Sequence, residues 1–163
     1  MTNNKFILNC VLVFSIVSLL IAYFVQYVLG HKPCNLCIIE RIPYLAAVIF
    51  ISLIFVIKRF EMILSSIVLI FFVFGALISS YHVGIEQGIF NESLVCTLED
   101  SIDNLSKDQM LQQLKNAPIS CKDVTFRFLG FSLATINTVI SVVLSVIMLV
   151  ILKKLWKKQI KKL

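Results

Sequence analysis

Four long apolar runs carry no charged residue: Phe6 to Gly30, Ile42 to Ile57, Met62 to Tyr81 and Phe128 to Leu152. A helix needs about 20 mostly apolar residues to cross the hydrocarbon of a bilayer. Three of the runs reach that length directly. The second reaches it if its helix begins near Cys37 and takes Glu40 and Arg41 into its first turns. The pattern predicts an all-α integral membrane protein, a four-transmembrane-helix bundle. Its spans are expected at about 6–30, 37–57, 62–81 and 128–152, with a long outer loop, 82–127, between the third and fourth.

The first apolar run is too long for a cleaved signal peptide, and no small-x-small site closes it, so it is expected to remain as the first span. No repeat, low-complexity tract or Gly/Ser linker interrupts the chain, and residues 1–163 are expected to form a single membrane domain. Inside the long loop, SKDQMLQQLKN has the marks of a short helix. Ser106 and Gln109 make a capping box, with Leu105 and Met110 as its staple. Met110, Leu111 and Leu114 share one face, which either lies on the bilayer surface or packs on the protein. Pro118 then breaks the helix before Cys121.

Composition agrees with the pattern: 59% of residues are hydrophobic and the mean hydropathy is +0.95, where a soluble domain is nearer half apolar. The net charge of +6 would suit nucleic acid, but its distribution points elsewhere. Six lysines lie in the tail from Lys153 to Leu163, and Lys58 and Arg59 join spans two and three. The segment from His82 to Arg127 holds seven acids against four bases. Basic residues collect on the cytoplasmic side of short loops. Both termini and the 58–59 link are thus expected inside, and the 31–40 turn and the long loop outside, with no nucleic-acid partner.

That orientation sorts the cysteines. Cys34, Cys37, Cys96 and Cys121 fall on the outer side, where disulfides persist. Cys10 lies near the inner end of span one, where a small buried hydrophobe is its expected role.

The chemistry concentrates in PCNLCIIER, residues 33–41. Pro33 suits the start of a helix. Cys37 and Arg41 are four apart and share a helical face. A helix N-terminus and a nearby cation both favour the thiolate, and an arginine at a membrane boundary usually faces a partner or a cavity. Blander readings stand beside these. A lone C-x-x-C is a weak signal, Arg41 can simply snorkel to headgroups, and His82 can be an interfacial cap. Cys96 and Cys121 can be a structural disulfide around 24 intervening residues, contributing about 3 kcal/mol. Asn137 is expected to hydrogen-bond a neighbouring helix as packing, and Trp156 to anchor the basic tail at the interface.

Topology changes the balance. The outer ends of four helices lie near one another in a compact bundle, which gathers the C-x-x-C, Arg41, His82, Glu86 and a second cysteine pair at one membrane face. Two cysteine pairs on an oxidising side suggest an electron relay whose acceptor is reached from the lipid.

PCNLCIIER in this topology, with YHVGIEQG after span three and FRFLGFSLATIN at the start of span four, resembles DsbB, the quinone-dependent disulfide-bond formation proteins. The resemblance covers almost the whole chain. It implies that Cys34 and Cys37 are the quinone-linked pair, and Cys96 and Cys121 the pair that meets a soluble, periplasmic DsbA-like oxidase. Cys96 would form the mixed disulfide, Cys121 would pass electrons to Cys34, and Cys37 would face the quinone with Arg41 supporting it. His82 would help position or protonate the ring. The resemblance also implies the bacterial inner membrane, the respiratory pool of ubiquinone or menaquinone, and no metal.

Redox poise agrees. A DsbA-type partner has a potential of about −120 mV, against roughly −200 mV for a glutathione-buffered oxidising compartment, a gap of about 3.7 kcal/mol. Glutathione cannot keep such a partner oxidised, whereas a respiratory quinone can. Two competing readings remain: a metal-binding or transport protein using His31, Cys34, Cys37 and His82 as ligands, and a tetraspan scaffold with a structural disulfide. The spans lack the chain of acids and histidines that a transport path would need, and the chain lacks the Cys-Cys-Gly motif of tetraspanins.

Overall fold

The computed structural model describes residues 2–91, 121–122, 127–128 and 130–161. Cys96, the short helix expected at SKDQMLQQLKN and Pro118 lie outside the described residues.

Four helical segments are long and apolar enough to cross a membrane. Helix α1 runs over Thr2–Tyr27. The second span is made of two pieces, α2 (Asn35–Ile39) and α3 (Ile42–Val56). A 3-10 turn at Lys58–Phe60 leads into α4 (Glu61–Glu86). A small antiparallel hairpin, β1 (Arg127–Phe128) and β2 (Phe131–Ser132), precedes α5 (Leu133–Ile160).

Each boundary departs from the apolar runs for a local reason. The second span starts earlier than Cys37 and breaks at Glu40–Arg41 instead of running straight to residue 57. Pro43, at the second position of α3, has no N–H to donate to the Ile39 carbonyl, and its ring crowds that carbonyl. Helix α4 carries on past Tyr81 through His82 to Glu86. It stops at a Schellman motif, in which Ile89 N–H donates to Gly84 O (2.8 Å), Gly88 N–H donates to Ile85 O (3.0 Å) and Gly88 sits at φ 74°. Helix α5 begins at Leu133 rather than Phe128. Ser132 caps it by accepting from Thr135 N–H at 3.1 Å, and the preceding residues fold into the hairpin around Gly130 at φ 87°. At its other end α5 continues past Leu152 through the lysine-rich tail, whose cations suit a helix C-terminus. Trp156 is exposed there, as an interfacial anchor would be.

Helix α4 packs along α5 and against α3, and α3 packs against α1. Lipid is as apolar as leucine, so close contact between spans depends on small residues and local polar bonds. A Cβ at Gly75 would lie 2.8 Å from Pro43 Cγ, so only glycine lets α4 approach α3 there. Buried Ser15, Ser79 and Ser145 each turn the hydroxyl back onto the carbonyl four residues earlier at 2.8 Å. The main core joins Leu8, Tyr44, Ile51, Phe72 and Met148. Cys10 is not buried as expected. It is exposed on the surface of α1.

Candidate redox site

A second, smaller cluster joins Cys34, Leu36, Ile85 and Cys121. The chain reaches it through Gly30, at φ 72°, after α1 ends. Cys34 is extended (φ −72°, ψ 167°) and caps α2, its Sγ accepting the Cys37 N–H at 3.2 Å. One turn of helix brings the two Cα atoms to 5.1 Å, and Cys34 and Cys37 form a disulfide. Cys34 is 6% exposed, while Cys37 is only partly covered. Cys34 is thus the more buried member of the pair.

Cys121 is also disulfide-bonded and is 2% exposed. Its sulfur, the Cys34 sulfur and a ring nitrogen of His82 all lie within 4.8 Å of one another. Thiol–disulfide exchange needs one sulfur to reach another, and the Cys34 and Cys121 sulfurs are close neighbours here. With both sulfurs in disulfides, neither offers a thiolate to a metal in this state.

The break between α2 and α3 divides the charged pair. Glu40 turns inward and is 8% exposed, whereas Arg41 stays partly exposed. Arg41 is tied to α1: Nη1 donates to Gln26 Oε1 at 2.6 Å, and the guanidinium lies 5.0 Å from the centre of the Tyr23 ring. Cation–π contact and a directed hydrogen bond hold it more firmly than snorkelling would.

Glu40 meets His82, which α4 carries into the cluster only because that helix extends beyond Tyr81. Glu40 Oε1 lies 2.8 Å from His82 Nδ1, and His82 Nε2 lies 3.6 Å from Cys34 Sγ. Glu86, one turn further along α4, has Oε1 3.9 Å from the same Nε2, and the Cys121 backbone also hydrogen-bonds the ring. On the far side of Glu40, Oε2 accepts from Asn137 Nδ2 at 2.9 Å, and Asn137 Oδ1 accepts from Tyr44 O–H at 2.5 Å. A continuous polar line thus runs Tyr44–Asn137–Glu40–His82–Cys34 through three spans.

The structure brings together Cys34, Cys37, His82 and Cys121, whereas Arg41 lies past the break that ends α2, so it does not share a continuous helical face with Cys37. Sequence reasoning placed Glu40 in the helix without giving it a role, and took Asn137 as packing alone. The signal for both was present: an ionisable or strongly polar residue within a membrane span marks function by default and requires a partner.

Comparison with known proteins agrees with this arrangement. The profile of the family described as Disulfide bond formation protein DsbB matches residues 4–151. An uncharacterised protein of Rickettsia prowazekii (strain Madrid E) is 30% identical over 138 residues, which cover 83% of this chain and 80% of that protein. With four membrane-spanning helices and a Cys34–Cys37 disulfide at the end of the bundle, the chain belongs to the DsbB family of membrane disulfide-bond formation proteins.

Proposed function

We propose that the protein reoxidises a DsbA-like dithiol oxidase on the outer face of the bacterial inner membrane and delivers the electrons to a membrane quinone. The observation that carries this reading is the approach of Cys121 to Cys34 within 4.8 Å, beside a disulfide whose second cysteine is partly exposed. Cys96 is the residue that would take the partner's thiolate in a mixed disulfide, releasing Cys121. Cys121 then attacks Cys34, forming Cys121–Cys34 and releasing Cys37 as the thiolate. The partner's second thiolate displaces Cys96 from the mixed disulfide, and Cys96 attacks Cys121, restoring Cys96–Cys121 and releasing Cys34. The sum is two partner thiols oxidised to a disulfide and two electrons placed on Cys34 and Cys37.

A bound quinone would supply the two-electron oxidant that restores the Cys34–Cys37 disulfide. The residues around Cys37 suit such a group. Arg41 offers guanidinium N–H donors to a ring oxygen, and Ile38, Ile42 and Leu45 are exposed apolar neighbours for a flat ring and its lipid tail. His82, the third residue in this role, would act from behind Cys34, where it is buried. Lys58, Arg59 and the tail lysines support an orientation with both termini cytoplasmic.

The test is to supply purified protein with a reduced periplasmic dithiol oxidase and a short-chain quinone, and to follow quinone absorbance. Stoichiometric quinone loss is expected. Cys96→Ser should abolish it, while the chemically reduced Cys34/Cys37 pair of that variant still reduces quinone. No quinone loss with the unaltered protein would overturn the reading.

A further inference from the structure

The hydrogen bonds around His82 determine which of its nitrogens can exchange a proton. Glu40 Oε2 can only accept, so the Asn137 atom 2.9 Å from it is the Nδ2 donor. Asn137 Oδ1 is then left to accept from the Tyr44 hydroxyl. A carboxylate only accepts, hence Glu40 Oε1 must receive a proton from His82 Nδ1. Nδ1 therefore remains protonated, and Nε2 is where the ring gains or loses its second proton. Nε2 is the nitrogen 3.6 Å from Cys34 Sγ. A side chain that orients an imidazole against a nucleophilic sulfur is the arrangement used to activate cysteines.

We propose that Glu40 and His82 form a proton-handling pair for Cys34, with Asn137 and Tyr44 as positioning residues. The proposal rests on the electron route above, in which Cys34 alternates between disulfides with Cys37 and Cys121. When Cys96 attacks Cys121 of the Cys121–Cys34 disulfide, the Cys96–Cys121 bond forms and Cys34 leaves with the electron pair. His82 Nε2–H protonates that thiolate in a site too buried for water to do so readily. When Cys34 bonds again to Cys37, its proton returns to Nε2 and the two electrons pass to the quinone of the proposed reaction. While the ring holds both protons, Glu40, Glu86 and the Cys121 backbone surround it. These groups and the sulfurs of Cys34 and Cys121 are the titratable and polar partners that face His82 among the described residues.

Two measurements test the pair without quinone or partner. The first keeps Cys34 as the sole cysteine (Cys10, Cys37, Cys96 and Cys121→Ser) and follows its ultraviolet thiolate absorbance against pH. Glu40→Gln should shift that titration to higher pH, because the amide no longer holds the Nδ1 proton or balances an imidazolium; Glu40→Asp should restore part of the shift. An unchanged titration in a folded Glu40→Gln protein would overturn the proposal. The second needs no Glu40 variant, so a folding failure does not matter: ¹⁵N shifts of His82 in the reduced, otherwise unaltered protein should show Nδ1 protonated and Nε2 responding to Cys34 ionisation. An unprotonated Nδ1 would equally overturn it. In the complete assay, turnover of Glu40→Gln should fall about 10²-fold, the usual contribution of a positioned acid–base group. Failure of the quinone assay would overturn the electron route and leave both of these measurements intact.

Discussion

Arg41 shows how a single side chain divides between structure and chemistry. Its bond to Gln26 and its place over Tyr23 tie the second span to α1, while the residue remains partly exposed, four positions beyond Cys37. If the cation stabilises the Cys37 thiolate and the charge that develops on the acceptor, Arg41→Met should slow quinone reduction by about 10²-fold, the low end for loss of one electrostatic stabiliser. Arg41→Lys keeps the charge but loses the planar fork, so its effect should be milder. Exchange between the partner and the loop pair, assayed separately, should barely change. Equal losses in both steps would show that Arg41 serves only to join α1 to the second span. Glu40, its neighbour in sequence, has the opposite fate. It is buried and fully engaged, because the chain turns between Ile39 and Ile42.

At the scale of elements, that turn and the close approach of α4 belong together. Pro43 interrupts the second span, and its ring occupies the space that Gly75 leaves open. A methyl group at Gly75 would press on Pro43 Cγ from 2.8 Å, closer than unstrained contact allows. Gly75→Ala should therefore destabilise the bundle by about 1–3 kcal/mol, the usual cost of overpacking. It should also loosen the Glu40–His82 contact, since α3 carries one partner's turn and α4 the other. Thermal unfolding in detergent reads the first effect, and the ¹⁵N shifts of His82 read the second. Unchanged stability would mean that α3 and α4 part without cost. The length of α4 matters as much as its spacing. Had the helix ended with the apolar run at Tyr81, His82 would not stand one turn from Glu86 beside Cys34.

For the whole molecule, orientation decides the chemistry, because disulfides persist only on the oxidising side. Cys121 is too buried to report on it, so exposed probes are needed. In a background without native cysteines, Lys32→Cys should react with an impermeant thiol reagent added from outside, and Lys161→Cys only after the inner face is opened. The reverse pattern would place the redox cluster in a reducing compartment and overturn the proposed function. The bundle also explains why the site needs four spans. Cys34 and Glu40 come from the second, His82 and Glu86 from the third, Asn137 from the fourth, and the first secures Arg41 through Gln26.

The sequence alone determined the membrane class, the four spans and the place of the C-x-x-C pair at the start of the second. Those depend on composition over 20-residue windows and on spacing within one turn, both of which are local. Helix ends were less legible, because Pro43, Gly88 and Ser132 act through single hydrogen bonds that an apolar run does not register. Only the tertiary structure decided that Glu40 turns inward while Arg41 does not, and that Cys10 is exposed. It alone joined Tyr44, Asn137, Glu40, His82 and Cys34 into one line. Tyr44 and Asn137 stand 93 residues apart, and Glu40 and His82 stand 42 apart. No periodicity spans such separations. The physical reason for their meeting is that a polar group in a dry bundle must find its partner on another helix.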